Sequence, residues 1–185
     1  MEGKAFLVRF TTDWTCGLLW NKLYKRALFD GIFFEEGHKI DDEYFTYQGV
    51  MNAAKVVCDP RVVYNYRQRA SSVMQSPAAR AQIAVDRIDF MAKRREKVLK
   101  RFPELRREFD ISFVDALSYL ADCPDNTEES IRLLKYYARR YFLQRGNTFP
   151  PRYLLKAVFL MYVTSTEKLL KRPQAKKPSP EDYYA

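Results

Sequence analysis

Apolar residues change their spacing near residue 76. Beyond Ser76 they recur at three- and four-residue steps: Ile83, Val85, Ile88, Met91, Ala92, Val98 and Leu99 form one stripe, and similar stripes run through 113–120, 131–142 and 154–162. Such spacing collects apolar side chains on one face of a helix. Punctuated by Pro103, Pro124, Pro150 and Pro151, it predicts about four amphipathic helices over 77–171.

Before residue 76 the pattern is mixed. Residues 18–29, "LLWNKLYKRALF", combine Leu with aromatics and predict a strand running into a short helical turn that Gly31 stops. An amphipathic helix is expected over about 42–54, followed by "KVVC" and "VVYNYR" as short strands around Asp59 and Pro60. In the second of these Val62, Tyr64 and Tyr66 share one face, opposite Val63, Asn65 and Arg67. The expected class is α+β, mostly helical, with a small sheet in 1–76 ahead of the helices. Residues 172–185, with three prolines and little apolar periodicity, are predicted to be a disordered tail.

A composition of 47% hydrophobic and 15% aromatic residues in 185 excludes global disorder. The net charge of +9 is uneven: residues 1–75 carry +1 and residues 76–185 carry +8. A basic second half suits nucleic acid, anionic lipid or phosphate, and charge alone does not choose. The densest run holds Lys93, Arg94, Arg95, Lys97, Lys100, Arg101, Arg106 and Arg107, with Val98, Leu99 and Phe102 between them. It reads either as a plain solvated helix face or as a peripheral contact with an anionic membrane. Nucleic-acid binding is a third reading without a helix-turn-helix, RRM or zinc-finger signature. The longest apolar run, 153–163, contains Lys156 and is about half the roughly 20 residues of a membrane span, so no transmembrane helix is expected. Residues 1–10 lack the apolar core of a secretory signal, and a cytoplasmic location, at most peripheral to the inner face of the membrane, is expected. The three cysteines are far apart and suggest reduced thiols, neither a disulfide framework nor a zinc ribbon. His38, the only histidine, lacks zinc-ligand spacing and reads as an exposed loop residue.

Taken together, "WNKLYKRALFDGIFFEEG", "DDEYFTY" and "VVYNYRQRASSVMQS" resemble, in order and spacing over 18–76, the second half of a bacterial family-two glycosyltransferase. Glu35 stands where that family's turn has Pro, and Asp41 stands where its Glu-Asp pair has Glu. The resemblance implies that 1–76 is the acceptor-side remnant of a GT-A domain. It also implies transfer of a sugar from a nucleotide-diphosphate donor to a hydroxyl acceptor, in envelope or extracellular polysaccharide synthesis and with an acceptor that can be lipid-linked. The nucleotide-binding half and its D-x-D motif find no room before Trp20, so the isolated chain is expected to be inactive. A divalent metal, manganese or magnesium, is implied by resemblance only, its ligands lying outside this chain.

Asp41, Asp42 and Glu43 point about 100° apart on a helix and cannot all face one cleft. On spacing alone, Asp at a helix start caps free amides, worth about 1 kcal/mol. The resemblance assigns the catalytic base to Asp42 and leaves Asp41 as a cap at the edge of the substrate site. It further implies that Arg67, Arg69 and Ser72 belong to a loop closing over the donor diphosphate, where the planar guanidinium grips phosphate oxygens; a solvated strand end is the alternative. Asn21 and Lys22 are candidates for polar contacts to acceptor or diphosphate. Trp20, Tyr24, Tyr64 and Tyr66 could stack on sugar rings, although strand aromatics are usually core, and Trp20 reads as core or cleft floor. The rival function is a non-catalytic binding or scaffold module.

Overall fold

Two clusters of buried apolar side chains organise the computed structural model, which describes residues 1–62, 64–67, 76–121, 126–142 and 150–162. Among these residues the chain is mostly helical: α1 is Gly3–Arg9, α2 Asp41–Asn52, α3 Pro77–Arg101, α4 Arg106–Ala121, α5 Glu128–Phe142 and α6 Pro151–Tyr162. Short 3-10 turns lie at Trp14–Gly17, Arg26–Phe29 and Pro103–Leu105.

The four helices beyond Ser76 form as the apolar spacing predicts. Ser76 caps α3 by accepting from the Ala79 amide at 3.2 Å, Pro77 opens the helix, and Pro103 follows its last turn. At 25 residues α3 is about 37 Å long, enough to serve both clusters. Its Ile83, Phe90, Val98 and Leu99 pack with Phe6, Leu7 and Phe10 of the first segment and with Tyr44, Tyr47 and Val50 of α2. Ile88 and Ala92, on the other side, pack with Phe113 and Leu117 of α4, Ile131, Leu134 and Tyr141 of α5, and Leu160 of α6. Packing therefore continues across residue 76 without a break.

The basic run of 93–107 is divided by this arrangement. Val98 and Leu99 are core, and Phe102 packs against the first cluster. Arg94 and Arg95 are buried too. Arg95 pairs with the buried Asp110 of α4 and lies 4.2 Å over the Tyr141 ring, which ties α3, α4 and α5 together. Only Lys97, Lys100, Arg101 and Arg107 of the run are exposed, and no helix among the described residues is long and apolar enough to cross a membrane.

The strands expected at 18–29, 55–58 and 62–67 do not make a sheet among the described residues. A strand is held by a neighbour's N–H and C=O groups. Here pairing is limited to an isolated antiparallel bridge between Glu2 and Lys55, flanked by the Val56 amide donating to the Met1 carbonyl at 2.9 Å. At Gly3 the chain turns into α1, which ends the pairing. Residues 18–29 are drawn instead into turns. α1, only seven residues long, was not evident in the periodicity; it buries Phe6 and Leu7.

Gly3 sets how closely α1 approaches the segment after α2, because a Cβ there would overlap the Ala53 carbonyl oxygen. Gly3→Ala is expected to lower stability by about 1–3 kcal/mol through overpacking. Urea unfolding of the two proteins measures this, and an unchanged midpoint would mean that α1 does not rest on residue 53.

Candidate functional site

The first turn of α2 sends three successive carboxylates into three environments. Asp41 is exposed and its Oδ1 accepts from the Asp42 amide at 3.0 Å. Asp42 is half-buried and its Oδ1 accepts from the Glu43 amide at 3.0 Å. Both therefore satisfy helix-start amides, since the preceding residue, Ile40, offers no side-chain cap. Glu43 turns inward toward Arg87 and Arg94 and packs beneath Gly17, whose Cβ, if present, would lie 3.1 Å from the Glu43 Cγ. Burial raises the Glu43 carboxyl above its usual range, with the two arginines opposing.

Facing Asp42 is the loop of residues 13–22. Asp13 organises it by accepting from the Thr15 amide at 3.0 Å and the Thr15 hydroxyl at 2.6 Å, which starts the 3-10 turn Trp14–Gly17. The Lys22 amine then folds back to donate to the Leu18 carbonyl at 2.6 Å, the Thr15 carbonyl at 3.0 Å and the Asn21 Oδ1 at 2.6 Å. Asn21 donates to the Thr15 carbonyl at 3.1 Å. Both residues hold the loop together; this use of their polar atoms was not foreseen from the sequence.

Electrostatics follow from burial. The Lys22 amine is pushed down to about 8, chiefly by desolvation, with Cys16, Asp13, Asp42 and Cys58 resisting. The Cys16 thiol, buried, is pushed up to about 11. The Asp42 carboxyl lies above its usual range because of burial and, in second place among the raising effects, the neighbouring Asp41 charge, while the amides of Glu43 and Leu19 pull it back. A carboxylate so placed is a stronger proton acceptor than one in water.

Thr46 stands one helical turn beyond Asp42 on the same face of α2. Across from it is Tyr24, whose hydroxyl is pushed up to about 12 by burial, with the Asp42 charge adding. The hydroxyls of Tyr24 and Thr46 are both buried and make no hydrogen bond of good geometry among the described residues. The two hydroxyls face each other, and Thr46 draws the Tyr24 hydroxyl part of the way back down. The i,i+4 spacing of Asp42 and Thr46 was the available sequence signal for the threonine.

Beside the loop stands an aromatic stack. The Trp20 ring is 4.4 Å from that of Tyr64, tilted by 31°, and 5.2 Å from that of Tyr66, parallel to within 3°. Trp20 is 40% exposed, Tyr64 49% and Tyr66 45%, so Trp20 is a surface residue and not core. Tyr64 and Tyr66, two residues apart, meet the same indole, as in an extended chain. Arg67 follows them, exposed; Arg69 and Ser72 lie outside the described residues.

His38 is not an exposed loop residue. It is half-buried, stacked on Tyr44 at 4.2 Å, with Nδ1 3.3 Å from Asp86 Oδ1 and Nε2 3.6 Å from Glu35. Asp86 also accepts from the Lys39 amide at 2.6 Å and from Gln82 at 2.8 Å. This network fastens the loop before α2 onto α3. Among the described residues no group of three or more His, Cys, Asp or Glu is arranged to hold a metal ion.

No protein-family model, no characterised protein and no solved structure matches the chain.

The Lys22 amine sets a pH dependence whose sign is fixed. Its folded-state value of about 8 is below the ordinary 10.5, so between these the unfolded chain binds more protons and the Lys22 contribution to stability rises with pH. In Lys22→Met that rise is absent. Urea midpoints for both proteins at pH 7.5 and above 10 test this: the parent should gain on the variant, and a constant difference would remove the buried amine.

Proposed function

We propose that this chain is the acceptor side of a sugar transferase of the family-two kind, moving a glycosyl group from a nucleotide-diphosphate donor to a hydroxyl in envelope or extracellular polysaccharide synthesis. The observation that carries the reading is the separation of the acidic run: Asp41 is exposed, Glu43 is turned toward Arg87 and Arg94, and Asp42 is half-buried against the loop of 13–22 with no arginine among the influences on its carboxyl. In this reading the Asp42 carboxylate takes the proton of the acceptor hydroxyl as its oxygen bonds to the anomeric carbon, and the bond from that carbon to the diphosphate breaks with inversion. The aromatic segment 64–67 and residues 55–58 are read as strands of a larger sheet whose neighbours come from a nucleotide-binding half. Arg67 meets the diphosphate from its exposed position. Attachment to an anionic membrane through 93–107 would rest on charge alone, because the interleaved apolar residues are in the core. The alternative, a binding module without turnover, draws on Asn21 and Lys22, whose polar atoms are taken up by loop carbonyls.

In a chain joined to a nucleotide-binding half, Asp42→Asn keeps the shape and removes the proton acceptor, so turnover is expected to fall by about 100-fold or more with folding intact. Asp41→Asn is expected to cost little, because Asn caps about as well as Asp. The reverse outcome, loss of transfer in Asp41→Asn alone, would reassign the base. For the chain as it stands, calorimetry with uridine diphosphate and manganese should register weak binding or none; micromolar affinity would mean that the nucleotide pocket lies within these 185 residues.

A further inference from the structure

We infer that Trp20, Tyr64 and Tyr66 form a binding platform for a carbohydrate and that the acceptor hydroxyl belongs to a saccharide; the second clause rests on the sugar-transfer reading, and the first does not. Tyr66 lies parallel to the Trp20 indole and Tyr64 tilted against it, and all three rings are 40–49% exposed, so apolar ring surface is gathered at one place and left open to solvent. Their mutual stacking holds each ring in place before any ligand arrives, so little rotational freedom is lost on binding. A pyranose ring presents a face of C–H groups with slight positive charge, which meets the negative face of an aromatic ring, while its hydroxyls point outward to polar groups. An acyl chain asks instead for a groove, and a flat stack offers none.

Polar partners adjoin the platform. The Leu19 backbone, one residue before Trp20, is among the groups that draw the Asp42 carboxyl back down, so Trp20 and the group facing Asp42 belong to one loop. The Asn21 side chain, one residue after, is held on the Thr15 carbonyl. Through Trp20 the rings thus belong to the loop that faces Asp42.

The test uses the full chain carrying Trp14→Phe, which leaves Trp20 as the sole indole of the two present. Its fluorescence is titrated with cellohexaose, maltohexaose and chitohexaose, and circular dichroism verifies folding. A saturable change with at least one of the three is expected. Tyr66→Ala should weaken it by about tenfold, while Tyr66→Phe, which keeps the ring, should bind as the parent does. No saturable change with any of the three, equal affinity in Tyr66→Ala, or quenching by uridine diphosphate alone would overturn the platform. The two readings fail separately: saccharide binding with transfer unaffected by Asp42→Asn removes only the base, and lost transfer without saccharide binding removes only the platform.

Discussion

A buried guanidinium and the apolar face of Tyr44, Tyr47 and Val50 both favour one rotation of α2, and the candidate site depends on that rotation. Arg94 of α3 lies among Phe10, Phe90 and Phe109, with its carbon centre 4.6 Å from the Phe90 ring. Desolvation is its dominant influence, and the Glu43 charge is the largest one that favours keeping it ionised. A buried cation without opposite charge nearby is costly, and the inward-turned Glu43 lessens that cost through space. With successive helical residues about 100° apart, Asp42 is then directed at the loop of 13–22 and Asp41 at water. The position of the carboxylate follows from apolar packing and charge balance in the core.

A second constraint seats the loop that leads into α2. Asp86 is almost fully buried, and its carboxylate collects the Lys39 amide, Gln82 and His38. Tyr44 has its hydroxyl 2.9 Å from both the Asp86 carbonyl and the Asp89 carboxylate, and Lys93 reaches Glu35 at 2.7 Å. Removing any acceptor here would strand a buried donor, which is why the polar groups of this seam come as a set. Loop, α2 and α3 are thereby held in one relation.

The helices beyond Ser76 were legible because burial on one face writes a 3.6-residue period into the sequence, and α2 was legible within a residue or two of its ends. The loop of 13–22 was not. Its form depends on Asp13, Asn21 and Lys22 satisfying backbone carbonyls, and a lysine that does this looks in sequence like any surface lysine. The basic run was misleading for a related reason: Arg94 and Arg95 are cations whose partners, Glu43 and Asp110, are supplied from other helices. The alternation of Tyr64 and Tyr66 was readable as a shared face, whereas what that face would meet, an exposed indole at position 20, was not. Long-range pairing, in each case, carried the information that local pattern lacked.

The length of α3 has a consequence for how the molecule comes apart. Because that helix gives Phe90 and Val98 to one apolar cluster and Ile88 and Ala92 to the other, neither cluster can melt while the opposite faces of the same two or three turns stay ordered. Its amides should be the last to exchange with solvent, and loss of structure at either end of the chain should be felt at the other as part of one cooperative transition.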